Sequence, residues 1–139
     1  MNIAQIHHVS LTVTDLDRSR RFFHEILRLE EIERPAFPTP GAWFQVGAHQ
    51  QLHLLVSEDP TFRGPKPLDP TDIHFAARVV SFSAARAFLH EKGFSEDADP
   101  AAHHFMLARP HSAAGFPQIH ILDPDRHVIE INADALDAE

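Results

Sequence analysis

The 139-residue chain contains no cysteine, which excludes disulfides, thiolate metal sites and a cysteine nucleophile. It also lacks tyrosine, and its 12 Lys and Arg residues against 20 Asp and Glu leave a formal net charge of −8. That balance opposes a sequence-independent grip on nucleic acid or on an anionic membrane, since both depend on an excess of basic side chains. No apolar run is long enough to cross a bilayer. Met1-Asn2-Ile3-Ala4-Gln5 has no basic leader followed by an apolar segment, so the expected location is the cytoplasm. What is plentiful is histidine, with 12 residues, and neutral imidazole is the commonest protein ligand for metals. With cysteine absent, any such metal is held by nitrogen and oxygen alone.

The length suits one domain spanning 1–139. From Ile6 to Thr14, Val9, Leu11 and Val13 alternate with His8, Ser10, Thr12 and Thr14, which is the period of a half-buried strand. Asp15 or Asp17 can cap a following helix with Leu16, Phe23, Ile26 and Leu27 on its apolar side and Arg18, Arg20 and Arg21 on its wet side. Pro35, Pro38, Pro40 and Gly41 interrupt the chain, and strands are expected at Ala42 to Val46 and Gln51 to Ser57. Residues 58–72, with Pro60, Gly64, Pro65, Pro67 and Pro70, read as an irregular linker.

Beyond the linker the pattern recurs. A strand is expected at Ile73 to Val80, a helix at Ser83 to Lys92 capped by Gly93, and two strands at Phe116 to Leu122 and His127 to Asn132 around the turn Asp123-Pro124-Asp125-Arg126. A shift of 66 residues superposes His8 on His74, Arg20 on Arg86, Phe22 on Phe88 and Glu25 on Glu91, so an internal repeat is the economical explanation. The modules are about 5–57 and 73–132. The second is 11 residues longer, an excess assigned to the poorly patterned stretch 95–115, which holds a candidate strand near His104 to Ala108.

The repeat singles out polar residues at the centres of apolar strands. His53 lies between Leu52 and Leu54, and Glu130 between Ile129 and Ile131, in the last strand of each module. Together with His8 and His74 they form a candidate set of three imidazoles and one carboxylate, suited to zinc, nickel, cobalt or iron(II) rather than to magnesium or calcium. The competing expectation for any one of them is a structural hydrogen bond, with Glu130 paired to Arg78 or Arg126.

Ile6-His7-His8-Val9-Ser10-Leu11, Asp15-Leu16-Asp17-Arg18-Ser19 with Phe22-Phe23, Ile119-His120-Ile121-Leu122-Asp123-Pro124-Asp125 and Ile129-Glu130-Ile131 resemble the vicinal oxygen chelate superfamily. That group includes glyoxalase I, fosfomycin-resistance thiol transferases, extradiol dioxygenases and bleomycin-binding proteins. The resemblance, over about residues 6–132, implies an α+β fold of two βαβββ modules forming a curved eight-stranded metal-binding cup, often in a homodimer. It also implies metal ligation by His8, His74 and Glu130. His53 matches the extra first-module ligand of glyoxalase I, where the family usually has a carboxylate, and Arg126 replaces a usual glycine.

A glyoxalase-like lyase or isomerase is the first activity expected, with Glu130 as base on a small substrate carrying vicinal oxygens. The alternatives are iron(II) cleavage of a catechol and small-molecule binding without turnover. His120, ten residues before Glu130, occupies a spot that holds a substrate-facing tyrosine in several relatives, which implies an acid-base or hydrogen-bonding role, with a dimer or helix contact as the competing expectation. The acidic segment after Glu130 opposes the fosfomycin activity. His7 is expected on the face opposite His8, and His24 and His90 in solvent. His103, His104 and His111 fall in the unpatterned loop, and Trp43, Phe37 and Phe44 are assigned to the core.

Overall fold

The computed structural model describes residues 1–57 and 64–138. These fall into two compact units, Met1–Phe62 and Arg63–Glu139. The first part of the expected linker, 58–63, lies outside the described residues, as does Glu139. From 64 onward the linker contains a turn in which Asp69 accepts from the backbone N–H and the hydroxyl of Thr71, followed by an ion pair between Lys66 and Asp72.

The first unit contains β1 (His8–Val13), α1 (Leu16–Glu25), β2 (Glu30–Ile32), β3 (Gly41–Val46) and β4 (Gln50–Val56). The second contains β5 (His74–Arg78), α2 (Phe82–Glu91), β6 (Leu107–Arg109), β7 (Gln118–Leu122) and β8 (Val128–Asn132). Their four-stranded sheets have the same plan. β1 pairs in parallel with β4 and the order is β1-β4-β3-β2; β5 pairs in parallel with β8 and the order is β5-β8-β7-β6. Both units are therefore βαβββ modules of the α+β class, as expected, and α2 lies 66 residues beyond α1 at both ends.

Local chemistry accounts for the element limits. Asp15 accepts from Arg18 N at 2.9 Å to cap α1, and Ser81 accepts from Ala84 N at 3.0 Å to cap α2. The cap at Ser81 starts α2 at Phe82, one residue earlier than the pattern suggested. Gly93 follows α2 with φ 92°, in the left-handed region that a Cβ disfavours. β1 begins at His8 and β5 at His74, because the apolar residues Ile6 and Ile73 are exposed and outside the ladders. β7 begins after Pro117, which has no N–H to give, and His127 belongs to the turn before β8. The short strand expected near His104 forms at Leu107–Arg109, while Ser95 bridges Phe105.

Alternation then divides each sheet. Val13, Ala42, Phe44, Leu52 and Leu54 are buried in the first unit, where α1 packs on β3 and β4 and Phe23 meets Phe44 at 6.1 Å between ring centroids. Ile119, Ile121, Ile129 and Ile131 form the matching apolar face of the second sheet. The opposite faces carry the histidines and Glu130. Phe44 is fully buried in contact with a second aromatic ring, so Phe44→Ala is expected to lower stability by about 3–5 kcal/mol in denaturant titration, with the heat- or urea-induced transition of an exposed-site control such as His49→Ala unchanged.

Candidate metal centre

In the second unit the hairpin β7–β8 sets His120 directly opposite Glu130, and the parallel pair β5–β8 sets Ala76 beside Glu130 with His74 two residues earlier on the same face. His74, His120 and Glu130 consequently converge, each offering one ligand atom within 4.8 Å of the others. Glu130 Oε2 is 3.2 Å from His74 Nε2 and 3.4 Å from His120 Nε2. The two imidazole rings meet edge to face at 5.6 Å between centroids. His120 is 2% exposed and Glu130 5%, so the carboxylate is removed from water and its charge must be met by protein groups or by a cation.

The hydrogen bonds fix which atoms remain available. His74 Nδ1–H donates to the Asp72 carbonyl at 2.7 Å, which commits the ring's proton and leaves a lone pair on Nε2 facing Glu130. Glu130 Oε1 accepts from Gln118 Nε2 at 3.0 Å and Asn132 Nδ2 at 2.8 Å. His120 Nδ1 is buried without a hydrogen-bond partner among the described residues. Burial pushes the Glu130 carboxyl up, but the amides of Asn132 and Gln118 and the neighbouring His120 and His74 outweigh it and hold the group below its ordinary range. Burial dominates at His120 and pushes that imidazole down, against the pull of Glu130. An ionised carboxylate beside a neutral His120 is the protonation state metal binding requires.

A divalent transition metal fits this donor set. Ligand atoms each about 2.0–2.2 Å from one ion lie about 3 to 3.5 Å apart, which matches the two separations measured from Oε2. With the His74 proton on Nδ1, Oε2 and His74 Nε2 face each other as two acceptors, an arrangement that a cation between them would satisfy. Neither expected structural partner competes for Glu130. Arg78 donates to Asn132 Oδ1 and pairs with Asp134, and Arg126 donates to the carbonyls of Lys66 and Ala101.

The first unit holds the other two candidates, His8 and His53, at the equivalent register. Ser10 lies beside His53 on β4, and Trp43 on β3 lies opposite it, so Trp43 stands where His120 stands in the second unit. The side chains form a stack: His53 lies 4.1 Å from Trp43 on one side and 4.1 Å from His8 on the other, with interplanar angles of 4° and 17°. His53 Nε2–H donates to Gln51 Oε1 at 2.8 Å. Trp43 thus stacks on a candidate ligand and Phe37 is half-exposed, so neither fills the core, whereas Phe44 does. His7 does not turn away from His8. Their Nδ1 atoms are 2.8 Å apart, because His7 precedes β1 and is not bound by its alternation.

Three of the other histidines are more engaged than solvation implies. His24 contacts the Leu29 carbonyl, His103 the Pro124 carbonyl, and His90 shares Glu96 with Arg86. Gln118 and Asn132 were not singled out from sequence, although Gln118-x-His120 and Glu130-x-Asn132 are same-face pairs on opposed strands.

Burial, followed by the charges of His8, His7 and Arg34, lowers the His53 pKa from 6.5 to about 4. Protonation then favours the unfolded chain between those values, so this contribution to stability is full above pH 6.5 and declines as pH falls toward 4. In NMR titration the His53 ring is expected to change charge near pH 4, and His53→Phe to flatten the acid side of the stability profile. A midpoint at the ordinary histidine value would contradict the burial of His53 beside these charges.

The profile of the Glyoxalase/Bleomycin resistance protein/Dioxygenase superfamily matches residues 5–131. The curated protein Glyoxylase I 4 of Arabidopsis thaliana is 26% identical over 139 residues, covering 98% of this chain and 75% of that protein. Among solved structures, a glyoxalase family protein of Bacillus anthracis superposes with a TM-score of 0.73 at 20% identity, covering 96% of this chain and 97% of the other. A mutant of the Listeria monocytogenes fosfomycin resistance protein FosX, complexed with Mn(II) and dihydroxypropylphosphonic acid, gives 0.68 at 20% identity, with 97% and 95% covered. With a profile match over nearly its whole length and the repeated βαβββ plan, the chain belongs to the Glyoxalase/Bleomycin resistance protein/Dioxygenase superfamily.

Proposed function

We propose that this protein is a metal-dependent enzyme acting on a small substrate with two adjacent oxygens, by a glyoxalase-like isomerisation through an enediolate. His74, His120 and Glu130 hold the metal. The observation that carries the reading is the convergence of three ligand atoms within 4.8 Å while the proton of His74 is committed to Asp72. A bound divalent metal would supply Lewis acidity toward both substrate oxygens and lower the cost of removing the neighbouring proton.

The rest of the chemistry belongs to the side chains. Glu130 is the base: Oε2, the oxygen that carries no amide donor, would take the proton when it is not engaged as a ligand and return it to the adjacent carbon, so atoms and charge balance over the isomerisation. His74 is kept in one tautomer by Asp72 and presents the same nitrogen throughout. His120, expected from sequence as an acid-base group, is assigned here to the metal, because its Nε2 lies among the ligand atoms. His8 and His53 stand as further proposed ligands contributed by the first module. The similarity to Glyoxylase I 4 supports the isomerisation, and the Mn(II) complex of the FosX structure supports a divalent metal.

Iron(II) ring cleavage of a catechol is the second reading. Two histidines and one carboxylate are the ligand set of many oxygen-activating iron sites, and the bond from His53 to Gln51 favours a three-residue centre.

Elemental analysis is expected to find one transition metal per chain. His74→Ala and Glu130→Ala should abolish binding and His120→Ala weaken it about tenfold or more, and the alanine variants of His8 and His53 measure what the first module adds. Lactoylglutathione formation from the methylglyoxal hemithioacetal under nickel, zinc or cobalt is the expected activity. Oxygen uptake with catechols under iron(II) would instead establish ring cleavage. A chain that takes up no metal overturns both, and metal binding without either turnover identifies a binding protein.

A further inference from the structure

We propose that Gln118 and Asn132 clamp Glu130 so that its carboxylate offers a metal one oxygen only, leaving adjacent coordination positions open to a chelating substrate. The proposal rests on the metal centre described above. Oε1 accepts two N–H bonds, from Gln118 at 3.0 Å and Asn132 at 2.8 Å. An oxygen with two donors has both lone-pair directions filled and cannot also coordinate an ion. Oε2 faces His74 and His120 instead.

The clamp has a defined orientation. Asn132 Oδ1 accepts from Arg78 Nε at 2.8 Å. Because a guanidinium only donates, the Asn132 amide can present only its NH2 group to Glu130. Gln118 is oriented by the same logic, since an ionised carboxylate only accepts. Arg78 is itself held by Asp134 and lies 5.0 Å from the centroid of the Phe116 ring. A chain of contacts therefore runs from the half-exposed Arg78 to the buried Oε1. Strand pairing makes it compact: Gln118 lies opposite Asn132 and His120 opposite Glu130, so two adjacent cross-strand pairs supply both the ligands and the groups that aim them.

A carboxylate that binds through both oxygens takes two coordination positions, and a substrate with vicinal oxygens needs two of its own. Keeping Oε1 occupied removes that competition. Gln118 and Asn132 are accordingly positioning residues, acting on the metal through Glu130.

Titration of the 139-residue chain with Co(II), read by its visible absorption, tests this. The native chain is expected to bind one equivalent. Gln118→Leu and Asn132→Leu should weaken binding about 10–100-fold and change the band shape as Oε1 joins the coordination. Asn132→Asp, which keeps the shape and removes the donor, should do the same. Arg78→Met, at a half-exposed side chain, should give a smaller loss with a similar spectral change. Native affinity and band shape in the folded variants would overturn the clamp. Should the leucine variants fail to fold, Asn132→Asp and Arg78→Met decide alone, and an unaltered band in both is the overturning result. Absence of Co(II) binding by the native chain, or binding unaffected by His74→Ala, overturns the metal centre itself and is thereby distinguished from failure of the clamp.

Discussion

A charge buried in the middle of a sheet must be answered by its neighbours, and Glu130 is such a charge. Burial alone would drive its carboxyl toward the neutral form. An ionised carboxylate without partners in an apolar environment costs several kcal/mol or more. Here two amides donate to one oxygen and two imidazoles approach the other, so the group stays ionised. The surroundings keep the charge and direct it toward one place. That combination is what a ligand needs and what a purely structural ion pair lacks, since the nearby arginines are engaged elsewhere.

The internal repeat supplies a control within one chain. His8, Trp43 and His53 occupy the register of His74, His120 and Glu130 on sheets of the same topology. The first module fills these positions with three flat rings that stack at 4.1 Å separations. The second fills them with two imidazoles and a carboxylate. The backbone plan thus puts three side chains within reach of each other in both cases, and residue chemistry decides the outcome. Burial, with the charges of His8, His7 and Arg34, favours an uncharged His53, whose pKa falls to about 4, whereas the second module retains a negative charge. Fold alone therefore does not imply a site in either module.

The repeat was legible because strands have a period of two and helices of 3.6, and His8, His53, His74 and Glu130 stand out as polar residues within that pattern. The helical pattern and the cap at Gly93 located α2 to within one residue of its observed start, and the 66-residue shift matched it to α1. Trp43 and the amides were illegible for a different reason. Trp43 reads as an ordinary core aromatic until the β3–β4 register sets it opposite His53. Gln118 and Asn132 lie near strand ends, where polar residues are common, and their role depends on which oxygen of Glu130 they reach. The stretch 95–115 resisted reading because turns held by Ser95, Asp99 and Ser112 replace periodic structure there.

The opposition of His120 and Glu130 depends in turn on the hairpin that joins β7 to β8. Asp123, fully buried, accepts from the backbone N–H groups of Asp125 and His127 and from the His127 ring, closing the turn on itself. Arg126 occupies the left-handed region at φ 65° where glycine would be easier. Its guanidinium holds the carbonyls of Lys66 and Ala101, contacts that glycine could not make and that tie the turn to two distant loops of the same unit. A slip of one residue in this hairpin would send His120 or Glu130 to the apolar face and bring an isoleucine into its place. The departure from glycine at Arg126 is therefore better understood as an anchor for strand register than as a defect of the turn, and the convergence of His74, His120 and Glu130 is inherited from it.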